Sequence, residues 1–244
     1  MDPGITPLFL FSFLSYFATA FAGFGGMILP LTLGAHFYSI PWMLPILVPL
    51  TLVSNSYILI RYHRYVRLRL LLASIFPLMG IGLVIGVFLF DLIQGELLKS
   101  VFGVLVILLS MREMFHLYQD KRERRLPLSP GVSRGYIFFA GVIQGLYACG
   151  GPLLVYVLNR LGLPKMEFRS TLSMIWIGMN SVLTIIYFAS GKADLNSLKY
   201  SLLLVPALAC GLLAGDLVHG KIAEKPFKTV VFVFLIVAGA SIVF

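Results

Sequence analysis

The chain has 244 residues, of which 59% are hydrophobic and only 12% charged, and its mean hydropathy is +0.95. A soluble domain carries about a quarter of its residues as charges, so this composition excludes one and defines a polytopic membrane protein. The formal net charge of +9 does not call for nucleic acid as a partner, because the Lys and Arg residues sit in short loops between apolar segments, where a positive-inside bias places them.

Read in chain order, a first apolar segment covers about 5–37 and is interrupted at Gly23-Phe24-Gly25-Gly26-Met27. No Lys or Arg precedes it, so Ala18-Thr19-Ala20 is not read as a signal-peptide cleavage site. Segments at 40–60, 70–92 and 97–117 follow, then the polar stretch 118–134, YQDKRERRLPLSPGVSR. The second half repeats the plan with 135–158, broken inside Tyr147-Ala148-Cys149-Gly150-Gly151-Pro152, and then 168–190, 195–218 and 227–244. All are predicted to be helical, since backbone groups in hydrocarbon must be satisfied within the segment, and the alternating ten-residue pattern of a β-barrel is absent from the sequence. Cys149 and Cys210 both lie inside apolar runs and supply neither a disulfide framework nor metal-ligand spacing.

The sequence matches itself. At an offset of 125, Gly25 and Gly26 fall on Gly150 and Gly151, Asn55 and Ser56 on Asn180 and Ser181, and Tyr62 on Tyr187. At an offset of 129, Pro77, Gly82 and Gly86 fall on Pro206, Gly211 and Gly215. Repeats of this kind mark transporter-like membrane architectures. The expected organisation is one integral membrane domain: a first repeat at 1–117, a basic cytoplasmic linker at 118–134 and a second repeat at 135–244.

Charge selects the topology. If every segment crosses once, the 19 Lys and Arg divide 12 to 7 between the two sides. If each Gly-broken segment returns to the side it entered, they divide 16 to 3, with only Lys99, Lys192 and Lys199 opposite the rest. The second division is the expected cytoplasmic excess. Each repeat then has a re-entrant hairpin plus three crossings, an odd number, so the two repeats have inverted topology.

Glycine is costly inside a helix, and non-helical backbone at membrane depth survives only where it is buried in protein or lines a wet cavity. A Gly-Gly pair leading into a helix offers N–H groups and the positive end of a helix dipole, an anion site. Pro152 directly after Gly151 suits a first helical turn. Small-residue packing is the competing explanation for such glycines, and interhelical hydrogen bonding competes for Asn55, Ser56, Asn180 and Ser181. Thr51, Ser173 and Tyr147 are nearby candidates. Of the ten Asp and Glu, only Asp216 is read as immersed, about a turn from a helix end with His219 and Lys221 close by. It is a candidate proton relay or the partner of Lys221. A cation site would need carboxylates at depth, so an anionic substrate is expected.

The repeated Gly-rich breaks, the Asn-Ser pair in the second helix of each half, the Pro-x-x-x-x-Gly-x-x-x-Gly third helix and the basic central linker together resemble the TauE/SafE family of sulfite and organosulfonate exporters. The resemblance covers nearly the whole chain. It implies eight hydrophobic segments in inverted repeats, no cofactor, and export of a small anion such as sulfite, a sulfonate or a carboxylate-bearing sulfonate. Family members commonly carry Gly-x-Gly-Gly-Gly at both breaks, and here the first is Gly23-Phe24-Gly25-Gly26-Met27 and the second Ala148-Cys149-Gly150-Gly151-Pro152, so each lacks glycines of that pattern.

The function expected from the sequence is therefore a secondary transporter that exports a small anion across the prokaryotic cytoplasmic membrane by alternating access, coupled to a proton or another ion. Its substrate site is expected at Gly25, Gly26, Cys149, Gly150 and Gly151 with Asn55, Ser56, Asn180 and Ser181, without a metal or a nucleic-acid partner and with a homodimer left open. Two alternatives remain at this point. One is a passive anion channel with the same site. The other is an intramembrane enzyme using Ser56, Ser181 or Cys149, for which no histidine lies at membrane depth as a base.

Overall fold

The computed structural model describes residues 4–22, 26–93, 95–118, 128–219 and 224–244. All of the regular elements among these residues are helices. They are α1 (Thr6–Ala22), α2 (Ile28–Gly34), α3 (Ile40–Tyr62), α4 (Leu68–Leu70), α5 (Phe76–Leu92), α6 (Gly95–Tyr118), α7 (Pro130–Tyr147), α8 (Gly151–Arg160), α9 (Lys165–Ala189), α10 (Leu195–His219) and α11 (Glu224–Val243). A π-helical turn, Leu71–Ile75, joins α4 to α5, so Leu68–Leu92 is one continuous apolar helix. Five helices among the described residues are long and apolar enough to cross a bilayer. The linker expected at 118–134 falls mostly outside the described residues, since 119–127 are not among them.

The chain divides into two compact units that cut across the sequence halves. The first contains Met1–Leu50, Gln94–Tyr118 and Ser190–Phe244. In it α1 packs along α10, and Gly211 is what permits the approach: a Cβ there would lie 2.6 Å from the Phe13 carbonyl oxygen and 3.1 Å from the Phe17 nitrogen. Helices α6 and α11 meet at Gly103 and Gly239, each facing the other's carbonyl. Small residues at such crossings let backbones touch where lipid supplies no hydrophobic drive.

The first broken segment folds back on itself. The Tyr38 hydroxyl, beyond the end of α2, donates to the Gly4 carbonyl before the start of α1, and the rings of Phe11 and Phe37 lie 5.7 Å apart. Gly34 packs against Met43 and Leu8. Tyr38 stacks on Trp42 at 4.9 Å, Trp42 lies 5.8 Å from Tyr200 at the start of α10, and His36 hydrogen-bonds Ser241 at the end of α11. The start of α1, the end of α2 and the start of α3 thus share one end of this unit, with an aromatic cluster of the kind that settles at a membrane interface.

The second unit contains Thr51–Ile93 and Gln119–Ala189. Here α7 packs along α5 through four glycines. A Cβ on Gly82 would meet Phe138, Gly141 and Val142, and one on Gly86 would meet Val142, Gly145 and Leu146. The broken segment folds back here too: Tyr136 near the start of α7 lies 5.1 Å from Tyr156 on α8, and the Arg160 guanidinium covers the Tyr156 ring at 5.0 Å. Arg67 pairs with Glu167 at 2.6 Å and its backbone N–H donates to Thr171, which ties the end of the α3 segment to the start of α9.

The contacts of Gly82 and Gly211 follow the sequence offsets. Gly82 plus 129 is Gly211, and Phe13, Tyr16 and Phe17 plus 125 are Phe138, Gly141 and Val142, the residues that each glycine faces. In each unit a broken segment from one sequence half therefore packs on the third long helix of the other half.

Candidate functional site

The second break is the better described of the two and is built from residues of the second unit. Helix α7 ends because Ala148 takes a left-handed conformation, φ 53°. Its N–H donates to the Gln144 carbonyl at 2.8 Å, the usual closure of a helix C-terminus. That turn brings Gly150 back over the last two turns of α7, where a Cβ on Gly150 would collide with the Ala140 carbonyl. Gly150 has φ −64°, so it is required for space and not for conformation. Helix α8 then starts at Gly151, with Pro152 in its first turn.

A buried hydrogen-bonded chain crosses this break. The Gly150 N–H donates to the Gln144 side-chain oxygen at 3.0 Å. The Gln144 amide nitrogen donates to Asn180 Oδ1 at 2.6 Å, and Asn180 Nδ2 donates to the Thr51 hydroxyl oxygen at 2.7 Å. Gln144, Asn180 and Thr51 are 1%, 4% and 8% exposed, so each would cost free energy if left without a partner. The chain fastens α7, α9 and the middle of α3 to the break. No charged side chain takes part in it.

Thr51 is the meeting point of the two Asn residues related by the repeat. Asn180 reaches its hydroxyl, while Asn55 donates to its carbonyl at 2.8 Å within α3. Of the residues expected at the site, Asn55, Ser56, Cys149, Gly150, Gly151, Asn180 and Ser181 all belong to this second unit. Gly150, Asn180 and Thr51 are brought together directly. Gly151 has room, its nearest neighbour being Trp176 Cζ2 at 3.7 Å from a built Cβ. Cys149 is 3% exposed and buried inside the turn, and Ser56 and Ser181 are half-buried on α3 and α9. Tyr147 is fully buried beside them.

The first break belongs to the first unit. Gly25 lies outside the described residues. Gly26 is backed by Tyr16 and Thr19, 3.4 and 3.5 Å from where its Cβ would be. Asp216 is in the last turn of α10, exposed, with Lys221 outside the described residues. Among the described residues no group of three or more His, Cys, Asp or Glu could hold a metal ion.

Sequence reasoning passed over Gln144. Its signal was present, since it is the single carboxamide within α7 and lies six residues before Gly150.

An all-helical chain with several apolar crossings, two broken segments that fold back, and an uncharged buried hydrogen-bonding array at one break has the construction of a membrane transporter. Comparison with known families bears this out: residues 8–242 match the family described as sulfite exporter TauE/SafE. The chain belongs to that family and is a multi-pass membrane protein of the transport class, taking a small-molecule substrate across a lipid bilayer. It is also similar to the probable inner membrane transporter protein TsaS of Comamonas testosteroni, with 24% identity over 181 residues that cover 73% of each chain. No solved structure matches it.

Proposed function

We propose that the protein is a secondary transporter that exports a small anion, sulfite or a short organosulfonate, from the cytoplasm by alternating access, driven by a proton or ion gradient. The observation that carries this reading is the second break: a helix start held at the end of a folded-back segment and surrounded by neutral hydrogen-bonding groups. The first N–H groups of a helix lack partners inside it, and with the dipole they favour negative charge. Neutral donors suit a transporter, because they can hold an anion without trapping it as a fixed cation would.

In this reading Gly150 and Gly151 keep the backbone close enough for an anion to reach it, Asn180 and Thr51 shape the wall, and Asn55, Ser56 and Ser181 complete the polar lining. Gly25, Gly26 and Cys149 are the further proposed substrate-site residues, and Asp216 is the proposed relay for a coupling proton. The family resemblance supports the choice of sulfite or a sulfonate, and the 16 to 3 charge division supports a cytoplasmic face for the basic loops.

The test is transport by purified protein in liposomes loaded with labelled sulfite, with and without an imposed pH gradient. Gradient-dependent movement against the concentration difference is expected. Movement only down the concentration difference would make the protein a channel, and no movement of sulfite or a short sulfonate would overturn the reading.

A further inference from the structure

The hydrogen-bonded chain at the second break has a direction, and one backbone group sets it. A side-chain carboxamide can present either its oxygen or its nitrogen to a neighbour, and the choice follows from the network around it. The Gly150 N–H can only donate, so the Gln144 oxygen must face it. That turns the Gln144 nitrogen toward Asn180 and obliges Asn180 to offer its oxygen. The Asn180 nitrogen is then left to donate to Thr51.

We infer that Gln144 is the positioning residue of the second break: it closes the Ala148–Gly150 turn onto the end of α7 and dictates which way the Asn180 carboxamide points. The consequence concerns what the break can recognise. Each carboxamide has two N–H groups and one oxygen. In this chain both oxygens face a donor and one N–H of each side chain is used. Left over are one N–H donor on each side chain and the second lone pair of each oxygen. The remaining N–H groups suit a ligand that accepts hydrogen bonds, such as a fully ionised oxyanion. Gln144 thus acts through the backbone of Gly150 and the side chain of Asn180. The recognition half of this inference rests on the transport reading, whereas the half concerning the turn stands without it.

Two measurements on the full-length chain in liposomes test the two halves separately. The first is the rate at which N-ethylmaleimide modifies Cys149, followed by mass spectrometry in a Cys210→Ser background, because Cys210 is exposed and Cys149 buried. Gln144→Leu leaves the Gly150 N–H without its acceptor and should speed modification about tenfold or more. Gln144→Glu keeps an acceptor for that N–H and should leave modification slow. Equal rates for wild type and Gln144→Leu, or equally fast rates for both variants, would overturn the positioning role. The second measurement is labelled sulfite transport by Gln144→Glu, which cannot donate to Asn180 Oδ1 and reverses the carboxamide. Its KM should rise about tenfold or more while kcat changes much less. An unchanged KM in a transporting wild-type background would overturn the recognition half, and a wild type that moves no sulfite would overturn that half together with the transport reading, leaving the Cys149 rates to decide the turn.

Discussion

Gly86 on α5 and Gly145 on α7 face each other across the helix crossing: a Cβ on either would lie 2.9 Å from the Cα of the other. No side chain can be added to one without displacing the backbone of its partner helix. Gly86→Leu or Gly145→Leu should therefore destabilise the second unit by about 1–3 kcal/mol or more, the usual cost of overpacking. Gly80 on the same helix has nothing within 4 Å of a built Cβ, so Gly80→Ala should be neutral or slightly stabilising. Thermal unfolding in detergent distinguishes the two glycines, and equal melting temperatures for Gly80→Ala and Gly86→Leu would refute the packing account.

The two adjacent glycines of the second break should behave differently. Gly150 presses on the Ala140 carbonyl, whereas Gly151 has only ordinary contact with Trp176. Gly150→Ala should lower stability and transport together, while Gly151→Ala should fold normally and Gly151→Leu should lose transport without losing the fold. Transport assays paired with thermal melts separate these outcomes. A destabilised Gly151→Ala beside an intact Gly150→Ala would reverse the assignment.

Ala148 is the one non-glycine described with positive φ. Its counterpart at an offset of 125 is Gly23, so glycine serves at the position where the second break strains an alanine. Ala148→Gly should raise stability by about 1 kcal/mol, the approximate penalty of a left-handed L-residue. A melting temperature at or below that of wild type would show that the turn is held without strain.

Much of this architecture can be read from hydropathy. The apolar run at 40–60 is the helix Ile40–Tyr62, and the run at 97–117 is Gly95–Tyr118, because burial in lipid demands apolar side chains over nearly the whole span. Glycine spacing likewise marks α5 and α10 as close-packing helices. What it does not reveal is their partners: nothing in the spacing of Gly211 says that it meets Phe13 and Phe17 and not another helix. Gln144 was hidden for a related reason. Its importance depends on the left-handed turn at Ala148, and alanine, unlike glycine, gives no warning of such a turn. The proximity of Asn55 and Asn180 could be suspected from the repeat, but their convergence on Thr51 depends on the helix packing.

Asp194 caps α10. Its Oδ1 accepts from the Ser197 N–H at 2.7 Å and from the Ser197 hydroxyl at 2.8 Å. These bonds hold its pKa below the usual carboxylate value, with the Ser197 backbone bond the largest cause. A depressed pKa means that the contribution to stability is present above the unfolded-state value, about pH 3.9, and is lost as pH falls through the lower folded value. The difference in melting temperature between wild type and Asp194→Ala should accordingly shrink below about pH 4. A difference that does not change with pH would mean the ionised carboxylate contributes nothing to the cap.

The Arg67–Glu167 pair is 57% and 22% exposed at its two side chains, and water screens it. Glu167→Gln should change stability by about 1 kcal/mol or less, and the effect should fade as salt rises from low to about physiological strength. A larger change that persists in high salt would show that the pair does more than tie the segment before α4 to the first turn of α9.

Because α1 rests on α10 and α7 rests on α5, the two halves face different circumstances during synthesis. The ribosome completes α1 at Ala22 but does not finish α10 until His219, so at about 5–20 residues per second the first hairpin waits on the order of 10–40 seconds for its partner. Helix α7 emerges after α5 is already in the membrane. The face of α1 that bears Phe13 and Phe17 must meanwhile be covered by lipid or by the insertion machinery. The slowest step in making this protein should therefore be the late arrival of α10, its next-to-last helix, not the formation of any single helix.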